Sequence, residues 1–100
     1  MTTMITQEQA LKILHEFKEK SGEQYGILSL GVFGSLARGQ ATEESDVDVV
    51  VETVTIEPFK LVHLKEHLES LLGTKVDLVR KREKMNLFLK KRINSEALYV

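Results

Sequence analysis

The sequence predicts an α/β (α+β) fold, one small β-sheet backed by helices, in one domain over residues 1–100. Three observations carry that expectation. Segments with helical apolar spacing alternate with short runs rich in β-branched residues. The single proline and the dispersed glycines fall at the joints between them. A 42% hydrophobic and 29% charged composition over 100 residues suits one packed core and argues against disorder.

The elements follow in order. A helix is expected from Gln7 to Lys20, with Thr6 as N-cap, Gln9 completing a capping box and Ile5 with Ala10 as staple. Ala10, Ile13, Leu14 and Phe17 give it one apolar face, and Gly22 is its expected stop. Ile27 to Phe33 reads as an apolar strand broken by Gly34-Ser35, and Leu36 to Arg38 as the start of a short helix closed by Gly39. Gln40 to Ser45 is a polar loop. Val47 to Glu52 is the strongest strand in the chain. Pro58 suits the first turn of a second long helix, with Leu61, Leu64, Leu68, Leu71 and Leu72 as its buried stripe and Gly73 as its end. Lys75 to Val79 is a further strand. Met85 to Ile93 is a third helix with Leu87, Phe88 and Leu89 as packing residues, and Ala97 to Val100 a short terminal strand.

Composition removes several classes of function. There is no cysteine, which excludes disulfide scaffolds, thiolate zinc sites and thiol nucleophiles. Apolar runs such as Val49-Val50-Val51 are far too short to cross a bilayer, and no basic start leads into an apolar stretch, so a cytoplasmic protein without membrane partners is expected. The net charge of −1 conceals an asymmetry. Residues 1–79 carry 13 acids against 7 bases, and residues 80–92 carry 7 bases against 1 acid. Such a basic segment can attract phosphates or an acidic partner; the plainer reading is a solvated helix face.

The residues that carry chemistry lie in three pieces. Asp46 and Asp48 flank Val47 on one strand, so both carboxylates face one side, about 6–7 Å apart, while Val47, Val49 and Val51 face the core. Two like charges that close repel unless a cation lies between them. Mg²⁺ prefers oxygen ligands and commonly takes one or two carboxylates plus substrate phosphates. Asp77, between Val76 and Leu78 in a second apolar strand, can complete a three-carboxylate cluster if the two strands are neighbours. Such a third group can ligate a metal or accept a proton from a nucleophile. Gly34-Ser35 follows a strand and opens a helix, so its backbone N–H groups and the Ser35 hydroxyl can receive a phosphate, with Arg38 one turn later beside the same anion. Taken singly, each piece has a plainer reading: a solvated strand edge, a turn, and an aspartate paired with Lys75 or Arg80.

In combination, Gly34-Ser35, ten intervening residues and Asp46-Val47-Asp48 resemble the signature of the DNA polymerase β-like nucleotidyltransferases. The spelling GSLARGQATEESDVDVVV is similar to that of the small stand-alone members, the minimal nucleotidyltransferases or MNT group. The resemblance is strong from Val32 to Val51 and looser through Asp77 to the C-terminus. It implies a nucleotidyltransferase fold, a small mixed β-sheet flanked by helices, with Gly34 and Ser35 on the nucleotide triphosphate, where the spacing also places Arg38. It also implies Asp46, Asp48 and Asp77 as catalytic acids holding Mg²⁺, two ions in the family's pattern, with ATP as substrate. The implied reaction is attack of a hydroxyl on the α-phosphate with loss of pyrophosphate. Several MNT proteins are antitoxins that transfer AMP from ATP to a tyrosine of a HEPN ribonuclease toxin, so a HEPN-type partner in a type VII-like toxin–antitoxin pair is implied. Larger members carry an added substrate-binding domain, for which this chain has no counterpart. Two other readings compete: a binding-only antitoxin with a degenerate acidic site, and nucleotidyl transfer to a small molecule such as an aminoglycoside.

Other features are set aside. His63-Leu64-Lys65-Glu66-His67 spells an inverted zinc-protease motif, but it is read as two solvent-facing histidines on the polar face of an amphipathic helix. Tyr25 and Tyr99 are read as packing or hydrogen-bonding residues. Arg80-Lys81-Arg82 lacks interleaved aromatics, so direct nucleic-acid binding is not expected.

Overall fold

Thr6 starts the first helix through the capping box that its spacing to Gln9 predicts: Gln9 N–H donates to Thr6 Oγ1 at 3.1 Å, and Thr6 N–H to Gln9 Oε1 at 2.9 Å. The computed structural model describes residues 5–42, 45–54 and 57–100. Helix α1 (Gln7–Tyr25) runs past the expected stop at Gly22, which is buried inside it. Its end is Gly26, at φ +64°, where the left-handed conformation that glycine tolerates closes the last turn. The extension buries Tyr25 in the core.

Strand β1 (Ile27–Phe33) and helix α2 (Gly34–Ala37) follow, then strand β2 (Val47–Thr53). The polar loop expected over Gln40 to Ser45 includes residues 43–44, which lie outside the described residues. Helix α3 (Pro58–Leu72) starts on its proline and ends at Gly73, both as the sequence predicts. Strand β3 (Val76–Arg80), helix α4 (Leu87–Glu96) and strand β4 (Leu98–Tyr99) complete the chain. The sheet order is β3-β2-β1-β4. β1 lies antiparallel to both β2 and β4, whereas β2 and β3 are parallel, as a connection through α3 requires. The sheet is therefore mixed, as the family resemblance implies.

The main core lies on one face of the sheet, where Leu30, Val32, Val47, Val49 and Val51 meet Leu14 and Phe17 of α1 and Leu64 and Leu68 of α3. A second cluster lies on the other face, where Phe33 and Val50 pack against Ile93 of α4. β2 is thus clamped from both sides, a burial that its alternating pattern of acids and valines conceals.

Three packing expectations are corrected. Leu71 is 44% exposed, because the buried stripe of α3 follows Leu64, Leu68 and Leu72 and leaves Leu71 off its axis. Leu87 and Phe88 are 73% and 81% exposed. α4 starts at Leu87 rather than Met85, capped by the Asn86 side chain, and turns inward Leu89, as expected, together with Ile93. His63 is exposed as expected, but His67 is half-buried, edge-on to Phe17 and 3.4 Å from the Tyr25 hydroxyl through Nδ1. The two histidines therefore do not form a shared solvent face.

Candidate active site

The antiparallel register sets Phe33 against Asp48, and the parallel register sets Asp48 against Asp77. Directly opposed residues share a face, so Asp48 and Asp77 project from the sheet on the same side, one strand spacing of about 4.8 Å apart. Asp46 immediately precedes β2, outside the strand that the sequence expects to hold it, and is exposed, but its charge reaches Asp48. The side is the one covered by α4, since Val50 packs there with Ile93.

Their surroundings differ. Asp48 is half-buried and Asp77 exposed, not enclosed between its apolar neighbours, because β3 is an edge strand. Among the described residues no ion pair joins Asp77 to Lys75 or Arg80. Burial, followed by the negative charge of Asp77, holds the Asp48 carboxyl above its ordinary range; Asp46 adds to the rise, and Arg92 and Arg38 oppose it. Among the described residues no three carboxylate, imidazole or thiolate groups already stand together as a metal-ligating group. The acids form an open row rather than a closed cage. A row of hard oxygen donors, whose charges disfavour one another, fits a Mg²⁺ ion that also takes ligands from a substrate phosphate.

Gly34 joins the acids to the turn. Its φ is +71°, and a Cβ at this position would collide with the Asp48 carboxylate, so both torsion and space demand glycine. The turn is anchored from α1, where Gln7 Nε2 donates to the Ala37 carbonyl at 2.8 Å. β3 is pinned at its start by Glu69, whose Oε2 accepts from Val76 N–H at 3.0 Å. Ser35 is half-buried, and its carbonyl accepts from Gln40 N–H at 2.8 Å. Arg38 stands one turn on, donating through Nε to Gln40 at 3.0 Å and through Nη1 to Glu96 Oε1 at 2.9 Å. The structure thus brings Gly34, Asp48 and Asp77 to one face, with Arg38 at its rim and Asp46 near enough for its charge to reach Asp48.

Two residues here were not singled out from the sequence. Arg92 lies over the Phe33 ring, 5.8 Å from its centroid, and its charge reaches Asp48. Glu96 Oε2 accepts the Gly34 N–H at 3.1 Å. Both stand on α4, so part of the basic segment read as a solvated face turns instead toward the acids. The four-residue spacing of Arg92 and Glu96 was visible, but the sheet face covered by α4 was not.

Comparison with known proteins decides the family. The model of the nucleotidyltransferase domain matches residues 11–100. The chain belongs to the nucleotidyltransferase domain family. This nucleotidyltransferase is 41% identical over 98 residues to the protein adenylyltransferase MntA of Thermococcus cleftensis, covering 97% of this chain and 98% of that one. A solved structure of a candidate minimal nucleotidyltransferase superposes with a TM-score of 0.74 at 29% identity, over 97% of this chain and 98% of the other. The fold is also shared with a complex of the tri-AMPylated Shewanella oneidensis HEPN toxin with its MNT antitoxin. There the TM-score is 0.69 at 19% identity, over 94% of this chain and 71% of the matched one. The resemblance carried by Gly34-Ser35 and Asp46-Val47-Asp48 is therefore one of family, and the chain is an enzyme of the nucleotidyl-transfer class. Among the described residues no helix is long and apolar enough to cross a membrane.

Proposed function

We propose that this nucleotidyltransferase, acting as a single domain over residues 1–100 in the cytoplasm, transfers AMP from ATP to a tyrosine hydroxyl of a HEPN-type toxin and so serves as its antitoxin. The observation that carries the reading is the in-register pairing of Asp48 with Asp77 beside the Gly34 turn. The named activity of the Thermococcus relative, and the AMP-modified toxin bound by the Shewanella antitoxin, support the acceptor class.

The roles follow from chemistry. Gly34 N–H, the Ser35 hydroxyl and the Arg38 guanidinium receive the phosphates as hydrogen-bond donors. Asp46, Asp48 and Asp77 supply the oxygens that would hold two Mg²⁺ ions. When bound, Mg²⁺ neutralises charge on the triphosphate and on the departing pyrophosphate. The acceptor oxygen forms a bond to the α-phosphorus, the bond to the bridging oxygen of pyrophosphate breaks, and the hydroxyl proton passes to a base. We assign that role to Asp77, whose exposure at the outer strand supports access by an incoming tyrosine. Arg92, on the same face, limits the rise in the Asp48 pKa and so favours the charged ligand form.

The test is label transfer from α-labelled ATP to the purified toxin, with Mg²⁺ and with EDTA. The expected result is labelled toxin only with Mg²⁺. Asp48→Asn should lower transfer at least about a hundredfold while toxin binding persists. A protein that never labels the toxin, or an Asp48→Asn variant that still neutralises it, would overturn the enzymatic reading in favour of masking by contact.

A further inference from the structure

Glu96 occupies the donors that the proposed function assigns to nucleotide. Its two carboxylate oxygens take separate partners: Oε2 accepts the Gly34 N–H at 3.1 Å, and Oε1 accepts from Arg38 Nη1 at 2.9 Å. Arg92 Nε stands 4.0 Å from Oε2. The Glu96 side chain is only 20% exposed and its contact to Gly34 is part-buried, so the carboxylate is seated at the turn while Arg38 meets it from the solvent side. A bidentate anion held by one backbone amide and one guanidinium has the recognition chemistry of a phosphate.

The secondary structure of α4 does not call for an acid here. Glu96 is its last residue, where exposed carbonyls disfavour negative charge. Its helical partner Arg92 lies four residues earlier, the weaker order for such a pair. What favours the carboxylate is its contact across the fold with α2. Asp48 and Asp77 add further negative charge on the same face, so a bound phosphate tail needs every local cation available to it. Arg38 is not freely available while Glu96 holds it.

We infer that Glu96 is a displaceable internal anion, which closes the phosphate-binding donors in the nucleotide-free protein and leaves them when a nucleoside triphosphate arrives. This rests on the nucleotide reading of the Gly34 turn and adds the exchange step to it. A triphosphate wins the exchange because it brings more charge and more acceptor oxygens than one carboxylate. The same competition weakens ground-state affinity and helps pyrophosphate leave, since Glu96 returns to the donors that pyrophosphate vacates. Glu96 is thus a positioning residue for Arg38 and a competitor for the triphosphate.

The experiment is calorimetric titration of the full chain with AMP-PNP and Mg²⁺, and separately with inorganic pyrophosphate, for wild type, Glu96→Gln and Glu96→Ala. Removing one charge-assisted competitor should tighten AMP-PNP binding about tenfold in Glu96→Ala, with Glu96→Gln between it and wild type. In the transfer assay the KM for ATP should fall in the same order while kcat does not rise. If Glu96→Ala unfolds, Glu96→Gln keeps the shape and one acceptor, and its tighter binding alone carries the point. Unchanged or weaker binding by folded variants would overturn the inference and leave Glu96 as a pin between α2 and α4. No binding by any of the proteins, wild type included, would overturn the nucleotide site itself and this exchange with it.

Discussion

Replacing Gly34 by alanine separates two costs that meet at one atom. The first is torsional. Gly34 sits at φ +71°, and holding an L-residue in the left-handed region costs about 1–2 kcal/mol. The second is steric. The new Cβ would collide with the Asp48 carboxylate, and relieving such overpacking costs about 1–3 kcal/mol. Together they amount to about 2–5 kcal/mol, a large share of the roughly 5–15 kcal/mol that a domain commonly has. Urea titration should show that loss, and thermal unfolding a midpoint at least about 8 °C lower. The double variant Gly34→Ala with Asp48→Ala distinguishes the two costs. Truncating Asp48 removes the collision and leaves the torsion, so the cycle should return about 1–3 kcal/mol of coupling. Gly34→Ala within about 0.5 kcal/mol of wild type, or a cycle with no coupling, would refute the claim that turn and carboxylate are fitted to each other.

Two further outcomes follow from the same geometry. In EDTA, Asp48→Asn should stabilise the fold at neutral pH. The folded protein holds Asp48 above the ordinary value of 3.8 through burial and Asp77, so it binds more protons than the unfolded chain and loses stability as pH rises through that window. The advantage of the asparagine variant should therefore grow from acid toward neutral pH and level off above the folded pKa, a course that urea titrations at stepped pH would follow; a constant difference would count against the electrostatic cause. Ile93→Ala should cost about 2–5 kcal/mol by urea titration, because its side chain fills the only buried cluster on the α4 side among the described residues.

What the sequence made legible was local. The Thr6–Gln9 box, the proline start and glycine end of α3, and the strand at Val47 all depend on residues within a few positions of one another, and all stand as expected. Asp48 was legible for a related reason: alternation along the strand from Val47 fixes its side without any tertiary knowledge, although Asp46 falls just outside the strand. Asp77 needed one further fact, the parallel register of β3 beside β2, which family resemblance suggests and spacing alone does not. The misreadings are long-range. Gly22 resembles a stop, yet Tyr25 gains enough core contact to carry α1 three residues further. Leu87 and Phe88 resemble packing residues, but α4 docks on the sheet through Leu89 and Ile93 and leaves them in solvent. The roles of Arg92 and Glu96 depend on which sheet face receives α4, which no local pattern encodes.

That dependence bears on how a chain this short holds a repulsive site. β2 carries Asp48 on the α4 side, with Val47, Val49 and Val51 buried behind it and Val50 buried beside it. Displacing Asp48 to relieve its conflict with Asp77 would move valines packed on both faces, and tightly packed interiors resist such shifts. The repulsion is therefore retained, and the opposing charge comes from a separate element. Arg38 and Arg92 both lower the Asp48 pKa, one from α2 and one from α4, and Glu96 contacts both arginines. An acid row held rigidly by core packing, faced by arginines that answer to a removable carboxylate, is poised for a ligand that is anionic and metal-bearing at once. Cation alone would satisfy the aspartates and leave the Arg38–Glu96 pair in place; phosphate alone would satisfy Arg38 and worsen the charge on the aspartates. The electrostatics of the face thus favour magnesium and nucleotide together over either singly.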